Sequence, residues 1–242
     1  MKKFALLSIF AMVFAATFAY AACPTGYAGY TCIFYAGDFD PNNPNANGLA
    51  DENDAIVGGN PYGAATYQNF TLSQGTTIGG LVANVLATVT PVSQYWEIRS
   101  GVSEGNGGTL IASGLATGNN STWVATGRSG FGYTEYSDGA WGLNVTLAAG
   151  QYWENVLPNC PECNGRSFNS NTFGLNSVGT QIPGQQYFNS AFFGANFTNA
   201  NNEGVFQSFS DAAYTNVPEP SSLIMLGSGL VAAAGVVRRR LL

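Results

Sequence analysis

The sequence predicts an all-β protein, an antiparallel β-sandwich of jelly-roll-like type, on three observations. Short runs rich in Val, Ile, Thr, Tyr, Trp and Phe recur from Tyr67 to Phe209. Gly-, Asn- and Ser-rich turns separate them, and no interior stretch keeps apolar spacing of three and four long enough for a helix. Many short strands with such turns argue for a sandwich. The runs place strands at 67–73, 80–89, 94–100, 108–113, 121–127, 141–147, 151–157, 186–194 and 204–210. Four segments follow: a signal peptide at 1–22, a loop-rich stretch at 23–66, the sandwich at 67–217 and a tail at 218–242. The roughly 195 residues between the two ends suffice for one core.

Met1 to Ala22 carries Lys2 and Lys3, an apolar run from Phe4 to Phe18, and small residues at Ala19, Ala21 and Ala22. That is the pattern of a cleavable secretory signal helix. Cleavage there leaves Cys23 at or beside the new N-terminus, for use in a disulfide or as a lipid attachment point. Tyr20 stands where a lipoprotein signal usually has Leu, which favours the disulfide. The four cysteines, Cys23, Cys32, Cys160 and Cys163, all fall in the exported part and predict two disulfides, with three connectivities open. The spacing of Cys160 and Cys163 also occurs in redox motifs and zinc knuckles. Redox chemistry wants a helix N-terminus to lower a thiol pKa, and "NVLPNCPECNGRS" reads as a loop.

From Cys23 to Val217 the only basic residues are Arg99, Arg128 and Arg166, set against thirteen carboxylates, a net charge of −10. Binding to a phosphate backbone needs cations, so nucleic acid is excluded as a partner. The balance suits solubility, cation binding or contact with neutral sugars. The chain has no histidine, which removes the Ser-His-Asp triad, the Cys-His pair and every histidine-ligated metal site. Lysine nucleophiles and a phosphate-binding loop are missing too. The expectation is a protein that is not an enzyme and needs no cofactor, with calcium the one ion left open.

Three sets of residues carry what chemistry remains. The tetrapeptide "QYWE" occurs at 94–97 and again at 151–154. Alternation in the first copy puts Trp96 and Ile98 inside, with Tyr95, Glu97 and Arg99 on the other face, and Trp153 is expected to repeat the role of Trp96. Glu97 and Glu154 could then flank one cleft as a two-carboxylate glycan hydrolase. Tyr95, Tyr133 and Tyr152 are the candidates for an aromatic sugar platform. Residues 38–54, "DFDPNNPNANGLADEND", hold oxygen donors at Asn43, Asn45, Asn47, the Leu49 carbonyl, Asp51 and Asp54, with Gly48 sixth. That spacing matches a calcium loop, although Asn43 replaces its usual Asp and Asp54 its bidentate Glu. Asn, Asp and Pro also crowd ordinary turns. Sequons at Asn69, Asn119, Asn120, Asn144 and Asn196 carry weight only in a glycosylating host.

The chain closes on "VPEPSSLIMLGSGLVAAAGVVRRRLL". Ser221 to Val237 makes a helix of about 25 Å against a hydrocarbon core of about 30 Å, a marginal single transmembrane span. Arg238, Arg239 and Arg240 can snorkel and hold that end in the cytoplasm. Pro218, Glu219 and Pro220, the short span and the arginine cluster together resemble the PEP-CTERM sorting signal of Gram-negative bacteria. The resemblance implies recognition by exosortase, transient anchoring in the inner membrane after export, then a cell-surface or extracellular location. It also implies an association with exopolysaccharide and biofilm. "YWEIRSGVSEGNGGTLIASG" (95–114) and "LNVTLAAGQYWENV" (143–156) are similar to segments of exported PEP-CTERM proteins, which supports a sandwich and adds no mechanism. The leading expectation is a non-catalytic matrix component partnered by extracellular polysaccharide. The alternatives are the glycan hydrolase and a calcium-dependent adhesion module.

Overall fold

The computed structural model describes residues 23, 27–57, 60–88, 90–160, 165–203 and 208–217. The signal helix expected at 1–22 and the tail helix expected at 218–242 lie outside them. Among the described residues the strands, in chain order, are β1 (Tyr30–Tyr35), β2 (Gly48–Ala50), β3 (Glu52–Val57), β4 (Asn60–Leu72) and β5 (Thr76–Ala87). There follow β6 (Ser93–Ser100), β7 (Thr109–Ala116), β8 (Ser121–Gly130), β9 (Tyr133–Leu147) and β10 (Gly150–Cys160). The last are β11 (Ser167–Thr172), β12 (Tyr187–Ser190), β13 (Ala195–Asn199), β14 (Ser208–Phe209) and β15 (Asp211–Asn216).

They form two sheets, as the all-β expectation required. In the first, β9 lies antiparallel along the full length of β5, from Thr76 opposite Leu147 to Ala87 opposite Thr134, and β8 pairs beyond it. The other edge of β5 is shared end to end by β15, which carries β1 outside it, and β11, which carries β2 and β14. In the second sheet β7, β6 and β10 are neighbours, and β10 then meets β4 at one end and β3 at the other. β12 and β13 extend the sheet beyond β4. The pairing of β3 with β10 is parallel and two residues long.

Side-chain alternation builds the core. Leu81, Ala83, Val85, Ala140 and Ala213 from the first sheet meet Phe70, Trp96, Ile98 and Val156 from the second, all buried. On the outer face of the first sheet Trp141 lies across two glycines. A Cβ on Gly80 would fall 2.2 Å from its ring and one on Gly139 2.7 Å from its Nε1, so only glycine permits the approach. Tyr27 stacks on that indole with ring centroids 4.4 Å apart. A disulfide from Cys23 to Cys32 pins the segment that covers it. Cys160 is disulfide-bonded too, and Cys163 lies outside the described residues.

Two expectations change. The 23–66 stretch, expected to be loop-rich, supplies β1, β2, β3 and half of β4. Its turn-forming Asn, Asp and Pro residues are concentrated at 38–47, and the flanking residues pair into both sheets. Trp153 does not repeat the role of Trp96. It is buried on the outer face of the second sheet with Tyr67, Val102, Tyr187 and Phe197, and its indole N–H donates to the Gln185 carbonyl at 2.8 Å.

Candidate functional site

β6 and β10 are neighbours, with Glu97 opposite Asn155 and Glu154 opposite Ile98. The two glutamates are therefore one position out of register and face opposite sides of the sheet. Glu97 sits outside, accepting from Tyr95 at 2.7 Å and Tyr67 at 3.1 Å and paired with Arg99. Glu154 points between the sheets and is 1% exposed. A pair divided by a sheet cannot flank one glycosidic bond. The nearest thing to a two-carboxylate cleft is a hollow of about 350 Å³ on the outer face, walled by Glu52, Glu97, Tyr67 and Tyr95. There each carboxylate is held by an arginine, Glu52 by Arg166 and Glu97 by Arg99.

The calcium-loop spacing is not realised as one loop. Asn43 Oδ1 accepts from the Asn45 N–H, Asn47 Oδ1 from the Gly48 N–H, and the Asn47 N–H donates to Asn171, each closing local or cross-strand structure. Leu49 lies in β2, opposite Asn169 of β11. Asp51 turns inward, accepting from the Thr66 N–H at 2.9 Å and Asn155 Nδ2 at 3.0 Å. Asp54 pairs through its backbone with Cys160. A one-three-five-seven-nine-twelve spacing needs a continuous wrap, and the start of β2 ends the turn.

The three tyrosines separate as well. Tyr152 packs inward against Phe70, and its hydroxyl donates to the Ala148 carbonyl. Tyr95 lines the Glu97 hollow. Tyr133 lies edge-on to Phe168, ring centroids 5.4 Å apart, in a shallow hollow it shares with Phe131 and Asn47. That hollow has Gly48 and Phe168 as walls in common with a groove of about 500 Å³, whose far side is Phe188 and Phe193. Arg166 lies 5.0 Å above the Phe168 ring, and Thr198 and Asn199 of β13 supply polar groups on the side of Phe188. The composite is a concave aromatic strip with a few polar groups at its margin, the general make-up of a ligand site.

A second cluster escaped the sequence reading. Asp211 of β15 is opposite Ala83 of β5, which is opposite Asp138 of β9. Ala83 faces the core, so both aspartates point between the sheets. Glu154 meets them from the second sheet, and Asp51 joins from the turn before β3. All four are at most 1% exposed. Asn169 Nδ2 bridges Asp211 Oδ1 at 2.8 Å and Thr66 Oγ1 at 2.9 Å. Burial holds the Asp51, Asp138 and Glu154 carboxyls well above the usual carboxylate range, and the Asp211 charge adds to the push on Glu154 and Asp51. Burial raises Asp211 to about 8, with the Asn169 amide pulling the other way. Gln94 lies beside Asp138 and offsets a little of its rise, but outside hydrogen-bonding geometry.

Burial also rewrites the charge balance. Asp51, Glu52, Glu97, Glu135, Asp138, Glu154 and Asp211, seven of the thirteen carboxylates, are buried, so the surface is far less acidic than the composition.

Fold and sites together define a β-sandwich with an aromatic surface groove and a carboxyl-lined interior. The chain carries the PEP-CTERM protein-sorting motif over residues 216–240, consistent with a PEP-CTERM domain-containing protein. Its key residues Pro218, Glu219, Pro220, Arg238, Arg239 and Arg240 lie outside the described part. The motif implies export, a membrane-anchored sorting signal and processing by exosortase. No curated protein and no solved structure matches the chain.

Proposed function

We propose that the exported protein is a non-catalytic component of the extracellular polysaccharide matrix, retained at the cell surface by weak contact with neutral sugar. The sorting motif at 216–240 carries this reading, since it commits the chain to export. The aromatic groove supports it: the ring faces of Tyr133, Phe168 and Phe193 can cover the apolar face of a sugar ring, while Asn47, Thr198 and Asn199 offer partners to hydroxyls. A surface relieved of half its carboxylates suits an uncharged polymer better than the composition implied.

Co-sedimentation of the protein with the producer's own exopolysaccharide tests this directly. Saturable binding is expected, weakened about tenfold or more when Tyr133 and Phe193 are both replaced by Ala, since lost stacking over two rings is worth about 1–3 kcal/mol. Non-saturable binding, or saturable binding indifferent to both replacements, would count against the groove. Absence from the surface and matrix fractions would count against the assignment itself.

A further inference from the structure

Between the two sheets a hydroxyl meets a carboxamide, with a carboxyl beside each. Thr66 of β4 and Asn169 of β11 are both fully buried and lie 103 residues apart in the chain. Asn169 Nδ2 is 2.9 Å from Thr66 Oγ1 and 2.8 Å from Asp211 Oδ1. Asp51 Oδ1 accepts from the Thr66 N–H at 2.9 Å. Burial raises the Asp51 carboxyl, and the Thr66 N–H and hydroxyl offset part of that rise, which puts the hydroxyl beside it. Asn169 Oδ1 has no partner, so the amide is held through Nδ2 alone. Asn84 and Ser210 make a similar buried contact, Nδ2 to Oγ at 2.9 Å. There Ser210 donates to the Gly37 carbonyl and Asn84 Oδ1 accepts from Ser137. Among the described residues no carboxyl hydrogen-bonds to that second pair.

We propose that Thr66 and Asn169 react with each other, forming an ester that joins the second sheet to the first and releasing ammonia. Thr66 Oγ1 attacks Asn169 Cγ while Asp51, ionised, takes the hydroxyl proton. The Cγ–Nδ2 bond then breaks as Asp211 delivers its proton to the nitrogen, and ammonia leaves. Asp51 passes the hydroxyl's proton to Asp211, so both acids end as they began. The net change is hydroxyl plus carboxamide to ester plus ammonia, with nothing oxidised or reduced. Asp211, raised to about 8 by burial, keeps its proton at neutral pH. While it stays neutral it does not oppose ionisation of Asp51, and neighbouring acids set apart in this way suit the roles of acid and base. Nδ2 donates in the amide plane, so attack requires Asn169 to turn about χ2, a soft torsion that no bond at Oδ1 opposes. Proximity supplies the rate, and exclusion of water protects the ester once formed. This is a single self-modification, not turnover, and it rests on neither the groove nor the matrix reading.

The full chain, isolated unfolded and therefore unlinked, is refolded with its disulfides allowed to form. Release of one ammonia per chain is expected. After reduction, cleavage at arginine should leave the fragment ending at Arg99, which holds Thr66, joined to the fragment beginning at Ser167, which holds Asn169. Mild alkali, which hydrolyses esters and spares amides, should part them. Thr66→Ser should still link, and Thr66→Val should not. Asp211→Asn is near-isosteric and should slow linkage about a hundredfold or more, a change that a merely structural acid would not produce. Fragments that stay separate in the refolded parent would overturn the proposal and leave a plain hydrogen bond. A link that resists alkali, survives Thr66→Val or forms at the parent's rate in Asp211→Asn would overturn it equally.

Discussion

Gln94-Tyr95-Trp96-Glu97 and Gln151-Tyr152-Trp153-Glu154 are the same four residues in neighbouring strands, and the fold uses them inside out. In the first copy Trp96 enters the core between the sheets, against Gly114, while Tyr95 and Glu97 stay on the outer face. In the second, Trp153 packs outside and Tyr152 and Glu154 go in. Antiparallel pairing with Trp153 opposite Arg99 produces this, because a slip of one residue exchanges the faces. The outer glutamate gains an arginine and two tyrosine hydroxyls; the inner one gains no hydrogen bond. Residue content sets what a strand can bury, and register decides which residues are buried.

Removing each tryptophan sharpens the contrast most. Trp96→Ala and Trp153→Ala should each cost about 3–5 kcal/mol in urea unfolding, since each indole fills a packed cluster. The milder Trp→Phe change should separate them. Trp153→Phe also removes one of the two hydrogen bonds that the Gln185 carbonyl accepts, leaving the one from Asn69 Nδ2, and should cost about 0.5–1 kcal/mol more than Trp96→Phe. Equal costs would mean that the outer cluster does not depend on that hydrogen bond.

Acidity offers the next separation. Asp51, Asp138, Glu154 and Asp211 all bind protons more tightly folded than unfolded. Their contribution is therefore fully present below the unfolded carboxylate range near pH 4 and falls as pH rises above it, that of Asp211 being lost through about 8. The protein should melt several degrees higher at pH 5 than at pH 8. A melt that falls on acidification from pH 8 to pH 5 would mean the layer is not a store of buried, proton-hungry carboxyls.

The same layer explains what the sequence concealed. Strands with apolar alternation, such as β5, β6 and β10, were legible. β11 and β15 were not, because their inward positions are Asn169 and Asp211 where a strand pattern wants Val or Ile. Each of the four acids, read alone, resembles a solvated charge. They meet only through pairings of distant segments, Asp211 and Asp138 through Ala83 and Glu154 across the gap between sheets. The division of Glu97 from Glu154 likewise depends on the register of β6 against β10, which no local pattern records. Of the sugar candidates, Tyr133 reached a groove, but its partners Phe168, Phe188 and Phe193 come from β11 and the β12–β13 hairpin. The spacing match at 43–54 failed because β2 pairs with β11, again a long-range event.

The most direct measurement is the urea midpoint of Glu97→Gln beside that of Glu154→Gln, both at pH 8. Glu97→Gln breaks a well-bonded ion pair and should destabilise by about 1–3 kcal/mol. Glu154→Gln replaces an unpartnered buried carboxyl with a near-isosteric amide that cannot ionise and should be neutral or stabilising by up to about 2 kcal/mol. Opposite signs for one substitution in one repeated tetrapeptide would establish that register has divided the copies. Equal losses at both positions would contradict it.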